Sequence, residues 1–290
     1  MSEFLQILLS GVLLGGLLAL YATGLSLVFG VMRIVNLAHG DLIVLAAYLI
    51  LLLVEATGAG PGWWLLPVAV LMFALGWLYQ RFVLERTLGL GLMPPLVVGF
   101  GLSIVLQNAL LELFSADTRR VPAGGIETAS LALGPLTVGV YPLLVFLAAV
   151  VLLVSLELVF ARTDFGRRLR ATADDPVTVR LVGVSPRSVY ALAMGLSFAV
   201  CGVAGVLMGV WTNFAPSDGP IRLLWAFEAV IIGGLGSLWG TLVGGMVLGV
   251  AISVGGWIDP GLQMLFGHLA FVAVLAVRPQ GLFPARGGAA

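Results

Sequence analysis

Eight stretches, at about residues 5–30, 40–56, 63–84, 93–114, 139–160, 188–213, 223–254 and 261–278, are almost wholly apolar. A helix needs roughly 20 apolar residues to cross a hydrocarbon layer about 30 Å thick, and most of these runs are that long. Lipid offers no hydrogen-bond partners, so a crossing segment must satisfy its own backbone as a helix or join a closed barrel. Barrel strands alternate apolar and polar over about ten residues, and no such pattern is visible. The chain therefore reads as all-α, a polytopic transmembrane helical bundle of about 8–9 spans. Only 10% of its residues are charged, against about a quarter in soluble domains. No polar stretch is long enough to bury a core of its own, so residues 1–290 are read as one domain. The opening MSEFLQ carries no basic residue, which favours a retained first span over a cleaved signal segment. The seventh run is too long for one span, and GGLGSLWG (233–240) divides it into two shorter helices or a re-entrant pair.

Charge gives the orientation. Segment 161–187 is the one long polar stretch. It holds Arg162, Arg167, Arg168, Arg170, Arg180 and Arg187 against Asp164, Asp174 and Asp175, a net of +3. The excess of basic residues on cytoplasmic loops places it inside. Arg81 and Arg86 then also fall inside, while the loops near Glu55, 115–138 and 213–222 fall outside. Arg278 and Arg286 fall inside if the seventh run crosses twice. The side on which the chain starts stays open, because a helix break near 31–43 changes the count.

Several chemistries are excluded. A single cysteine, Cys201, rules out an intrachain disulfide and a multi-cysteine metal site. His39 and His268 are far apart in sequence, so no metal centre is expected, and no cofactor. Net charge is zero, which gives no long-range attraction for nucleic acid. No nucleophile-elbow serine, zinc-protease motif or phosphate-binding loop appears. Hence no enzyme activity is read, and any ATP-driven step requires another chain.

Three features carry the remaining information. Segment VMRIVNLAHGDLI (31–43) gathers Arg33, Asn36, His39, Gly40 and Asp41 between two apolar runs. Its polar groups either pair within the protein or line a path through it. Glycines spaced by four (Gly11 and Gly15, Gly205 and Gly209, Gly236, Gly240 and Gly244, Gly245 and Gly249) make flat helix stripes. Such stripes let backbones approach closely, and static packing is preferred to a sliding gate. Glu228 lies in the apolar WAFEAVIIGG, where it is either an intramembrane group with a role or a carboxylate near the outer surface beside Arg222, the preferred reading. Arg119 and Arg120 read as a solvated outer loop, and Trp63 and Trp64 as interfacial anchors. In 161–187, GRRLRATADDPVTVRLVGVS suits a short amphipathic helix, then a second helix opened by Pro176 and stopped by Gly183.

That segment, GRRLRATADDPVTVRLVGV, resembles the cytoplasmic coupling loop of permeases from ATP-binding-cassette importers for branched-chain amino acids and related substrates. Gly166, Arg167, Arg170, Ala171, Asp174 and Gly183 fill the positions of its pattern. GLSLVFGVMRIVNLAHGDLIVLAAYL (24–49) is similar to the family's N-terminal signature, with its Asn-x-Ala-His-Gly core at Asn36, Ala38, His39 and Gly40. AFEAVIIGGLGSLWGTLVGGMVLG (226–249) and RPQGLF (278–283) complete four matches in the right order. The Asn-x-Ala-His-Gly form resembles the first, H-type, of two paralogous permeases, although Ala46-Ala47-Tyr48 replaces the usual Gly-Ala-Tyr. Urea-type members share much of this signature. An importer of urea, short amides or other small polar solutes is thus the alternative, and a secondary transporter or channel a more distant one. The resemblance implies a channel-forming subunit in a bacterial inner membrane. It would pair with a paralogous permease or a second copy, above two cytoplasmic ATPase subunits and below an extracytoplasmic binding protein. It places ATPase coupling at Gly166, Arg167, Arg170, Ala171, Asp174 and Gly183. The translocation path is expected near Asn36, His39, Gly40, Gly233, Gly234 and Gly236.

Overall fold

The computed structural model describes residues 2–91 and 93–283. Within them the chain forms α1 (Ser2–Met32), α2 (His39–Thr57), α3 (Pro61–Phe82), α4 (Met93–Phe114), a hairpin of β1 (Ser130–Leu133) and β2 (Leu136–Gly139), and α5 (Val140–Arg162). It continues through α6 (Asp164–Asp174), α7 (Pro186–Trp211), α8 (Gly219–Gly233), α9 (Leu238–Ile258) and α10 (Gln263–Val277). Eight segments are long and apolar enough to cross a membrane: α1–α5, α7, α9, and α10 with the turn before it. The chain is a multi-pass membrane protein, as its apolar runs require.

Gln6 fixes the direction of α1. Its side chain accepts a hydrogen bond from the Thr137 amide (2.9 Å) and donates to the Thr137 carbonyl (2.6 Å). The start of α1 therefore lies beside the β-hairpin, on the face opposite the basic segment 161–187. The hairpin itself, paired from Ser130↔Gly139 to Leu133↔Leu136, replaces part of the loop expected over 115–138.

Two antiparallel crossings carry the bundle. On α1, side chains added at Gly11 and Gly15 would run into the backbone of Val250 and Met246 on α9, and Gly245 of α9 faces Ala19. On α3, Gly76 faces Met194 of α7, while Gly195 and Gly202 of α7 face Phe73 and Ala69. Glycine and alanine let these backbones approach, and dispersion between close surfaces holds helices where lipid gives no hydrophobic drive. The crossings are counterparts. Exchanging α1–α4 for α7–α10 turns α1 on α9 into α7 on α3, α1 on α8 into α7 on α2, and α2 on α4 into α8 on α10. The two halves run in opposite directions, an inverted repeat that the sequence does not display.

Each half contains a broken helix. His39 opens α2 and bonds the carbonyl of Tyr21, eleven positions before α1 ends at Met32. At about 1.5 Å per residue that is about 16 Å back from the end of α1. Residues 33–38 thus climb back into the bundle without helical structure. In the other half, 212–218 return inward from the end of α7, and Gly219 opens α8 against Asp41. The expectation that 213–222 forms an outer loop is therefore corrected. Phe214, Ala215, Pro216, Gly219 and Arg222 are buried, held by the edge of Phe214 on the Tyr48 ring (4.9 Å) and by paired Arg119–Phe214 backbone bonds (2.8 and 2.9 Å). The outer loop of Arg119 and Arg120 is tied down in the same way, with Arg120 donating to the Val210 carbonyl (3.0 Å).

The seventh run divides as its length demands. With 15 residues, α8 spans about 22 Å, and a turn with positive φ at Gly234 (106°) and Gly236 (81°) reverses the chain into α9. Arg278 consequently emerges on the basic side; Arg286 lies outside the described residues. The RPQGLF segment then straps the turn, as the amides of Leu282 and Phe283 donate to the carbonyls of Ile232 and Gly233 (both 2.9 Å). These carbonyls end α8 and have no helical partner of their own.

The α1–α9 crossing is tested by overfilling it. Gly15→Val is expected to cost about 1–3 kcal/mol, read as a lowered thermal unfolding midpoint in detergent. Gly101→Ala, which meets nothing within 4 Å, is expected to leave that midpoint unchanged or slightly raised.

Candidate functional site: a broken-helix junction and a cytoplasmic knob

At the junction, the path candidates of the first half are buried, and His39 and the Asn36 Oδ1 are paired while the Asn36 Nδ2 has no partner. Asn36 accepts from the Ala38 amide through Oδ1 (3.1 Å), and its own carbonyl accepts from the His39 amide (3.1 Å). This local turn re-aims the chain into α2. His39 is 1% exposed. A carbonyl only accepts, so Nε2 carries the hydrogen that meets the Tyr21 carbonyl (2.7 Å), and Nδ1 faces the Cys201 thiol (3.5 Å). One imidazole thereby joins α1, α2 and α7. Nearby, Ser197 of α7 donates to the Gly24 carbonyl of α1 (2.8 Å). Gly40 lies flat against the Gly219 carbonyl, where any side chain would collide with backbone. Asp41, in the first turn of α2 and against the start of α8, sits beside Ser103 and Gln107 of α4. Two helix N-termini, each bearing partial positive charge, converge on this carboxylate.

The second half places its glycines differently. Gly233 packs against the Gly240 carbonyl, and the Gly236 backbone lies where a side chain on Gly30 of α1 would stand. Gly233, Gly234 and Gly236 thus form the cytoplasmic turn between α8 and α9 and lie far along α8 from the junction.

Glu228 overturns its preferred reading. It is 2% exposed, and its Oε1 lies 2.5 Å from Nδ1 of His268 on α10. Arg222 instead meets Asp218 (3.2 Å) and covers Trp225 (5.1 Å). Six residues along a helix of 3.6 per turn put Arg222 and Glu228 on different faces, so nearness in sequence was misleading. By sequence alone His268 stands out only as a second histidine far from His39. The signal for it was an acid and a base, each isolated in a separate apolar run.

The coupling candidates form a knob on the basic face of the bundle. Thr163 caps α6 by accepting from the Gly166 amide (3.2 Å), and Gly166 is pressed against the Phe160 backbone, so α6 folds tightly under α5. Arg167 pairs with Asp164, and Arg170 donates to the Phe160 carbonyl at the end of α5. Ala171 and Asp174 are exposed. Asp175 accepts from the amides of Val177 (2.9 Å) and Thr178 (3.0 Å), and bonds to Thr178 and Val177 hold its carboxyl below the usual range. The expected second helix is a 3-10 turn, Thr178–Val182, closed by Gly183 at φ 78°. Glutamate 85 braces the knob from the α3–α4 connection, Oε1 to Nε of Arg187 at 2.8 Å. On its tip Val177, Leu181 (86% exposed) and Val182 (76%) stand in the open. In the sequence these three apolar residues are overshadowed by the arginines around them, although their position in a mostly polar segment is the signal that marks them.

His39→Leu removes the imidazole bond to Tyr21 at the junction. We expect a loss of about 1–3 kcal/mol, measured as thermal unfolding in detergent. A variant as stable as the parent would show that the bond does not hold the junction.

Comparison with known proteins follows the same lines. BraD of Pseudomonas aeruginosa, a high-affinity branched-chain amino acid transport system permease protein, is 28% identical over 97% of this chain and 95% of its own length. LivH of Escherichia coli, with the same description, is 28% identical over 96% of this chain and 95% of its own. The permease protein LivM of Escherichia coli is 28% identical over 90% of this chain and 66% of its own. No solved structure matches significantly. The model of the family described as "branched-chain amino acid transport system / permease component" matches residues 7–276, and the chain belongs to that family.

Proposed function

We propose that this permease forms the translocation path of an ATP-binding-cassette importer for branched-chain or other aliphatic amino acids in a bacterial inner membrane. It works with a paralogous permease or a second copy, two cytoplasmic ATPase subunits and an extracytoplasmic binding protein. One observation carries the reading: a rigid knob with an uncovered apolar tip hangs on the basic face of a bundle built from broken helices. Exposed apolar residues rimmed by polar ones mark a protein-binding surface. Val177, Leu181 and Val182 seat in the ATPase, with Ala171 giving room for close approach. Gly166 and Arg170 clamp α6 to α5, so force on the knob reaches the membrane helices. Gly183 sets the return into α7, which runs directly to the junction at His39. The non-helical segments beside Asn36, His39 and Gly40, and the turn at Gly233, Gly234 and Gly236, are where backbone can rearrange without unwinding a span.

The test is ATP-driven leucine uptake into proteoliposomes holding the permease pair, the ATPases and the binding protein. Leu181→Glu is expected to lower uptake about tenfold or more, the scale of a lost interface anchor, and to release the ATPases on size-exclusion chromatography while the permease pair stays intact. Normal uptake by that variant would refute the docking role. Leucine uptake by the permease alone without ATP would refute the importer reading.

A further inference from the structure

A cavity of about 820 Å³ opens on the basic face between α1, α5, α6, the α8–α9 turn and the C-terminal strap. That volume is in the range of small-molecule sites. Its wall combines one cation and two anions: Arg170 of α6, Asp174 of α6 and Glu157 of α5. The Phe160 carbonyl occupies part of the Arg170 guanidinium, which has five N–H donors to offer. Neither Glu157 nor Asp174 has an ion-pair partner among the described residues. Phe160, Trp239 and Phe283 supply apolar surface. Ser26, also on the wall, is 1% exposed, and its hydroxyl has no hydrogen-bond partner.

This set of groups selects a class of ligand. A simple anion, such as phosphate or a lipid headgroup, would meet two carboxylates and be repelled. A simple cation would leave Arg170 unanswered, and a hydrocarbon would leave every charge desolvated without compensation. We propose that the cavity binds an α-amino acid with an apolar side chain from the cytoplasmic side. Arg170 holds the carboxylate, Glu157 and Asp174 hold the ammonium group, and the aromatic wall takes the side chain. The proposal rests on the amino-acid importer reading and extends it to control by the product. One wall of the cavity is α6, the helix that carries the knob, and the opposite walls are α1, α9 and the strap. A bound amino acid therefore ties α6 to α5, restrains the knob and slows ATP turnover as the cytoplasmic amino acid accumulates.

The experiment uses the full complex in nanodiscs with binding protein, and measures ATPase rate against L-leucine, 4-methylpentanoate and 3-methylbutylamine. Leucine concentrations are kept above saturation of the binding protein, so that further change reports the cytoplasmic face. Saturable inhibition by leucine, with at least tenfold weaker effects of the acid and the amine, is expected. Glu157→Gln is expected to raise the half-inhibitory leucine concentration at least tenfold, relative to that variant's own uninhibited rate. Equilibrium dialysis of labelled leucine against the complex without binding protein reads the same site directly, and Glu157→Gln should weaken binding in parallel. No saturable leucine effect, an unchanged response in Glu157→Gln, or an amine as effective as leucine would overturn the proposal. So would a copurified lipid that fills the cavity and that leucine cannot displace. A complex that imports leucine without any cytoplasmic inhibition sinks this inference alone; a complex that imports no amino acid sinks the importer reading beneath it.

Discussion

The first turns of α2 and α8 meet inside the bundle, with Gly40 flat against Gly219 and the Asp41 carboxylate between them. Every helix start leaves four amides without helical partners, and in a membrane those amides cannot turn to bulk water. Placing two such starts together around one carboxylate is electrostatically favourable, because each N-terminus carries partial positive charge. The contact works only at backbone distance, so both positions must be glycine. Much else follows from it. Because α2 and α8 begin well inside, residues 33–38 and 212–218 must travel inward without α-helical structure, and α1 and α7 must shield them. The glycine crossings of α1 on α9 and α7 on α3 make that shield tight.

The shield also explains where polarity collects. Asn36, His39, Ser197 and Cys201 surround the first inward segment, while Asp218, Arg222 and Trp225 surround the second. Away from the two breaks, α3, α4, α5 and α10 present apolar side chains outward, among them Leu66, Val97, Val151 and Val272. Glu228 and His268 are the exception, an ionisable pair between α8 and α10. An unpaired group there would be costly in hydrocarbon, so each side chain accounts for the other.

Much of this architecture is legible in the residues themselves. Run length and composition give the spans, arginine distribution gives their direction, and the length of the seventh run requires its division at GGLGSLWG. The amphipathic stretch around Arg167 and the Pro176–Gly183 punctuation locate the knob. Contacts between residues distant in sequence are what the chain conceals. Glu228 and His268, each alone in an apolar run, show that they need partners without saying that they partner each other, and nothing near Phe214 says that it packs on Tyr48 and turns inward. The inverted repeat is hidden for a related reason. Its two halves share crossing geometry, which many combinations of small residues satisfy, so Gly11 and Gly15 need no recognisable copy in α7. The exposed tip of Leu181 and Val182 was visible as apolar sequence, but exposure cannot be read from one residue type.

The strap formed by Leu282 and Phe283 sets an order of assembly. The α8 carbonyls that these residues satisfy belong to Ile232 and Gly233, fifty positions earlier in the chain. While the protein is being made, α8 can enter the membrane and find Gly40, but its cytoplasmic end stays open until α9 and α10 have been inserted and the chain has returned to the same face. That end of α8 is thus completed only by residues that follow α10, so its closure requires both later spans to be in place.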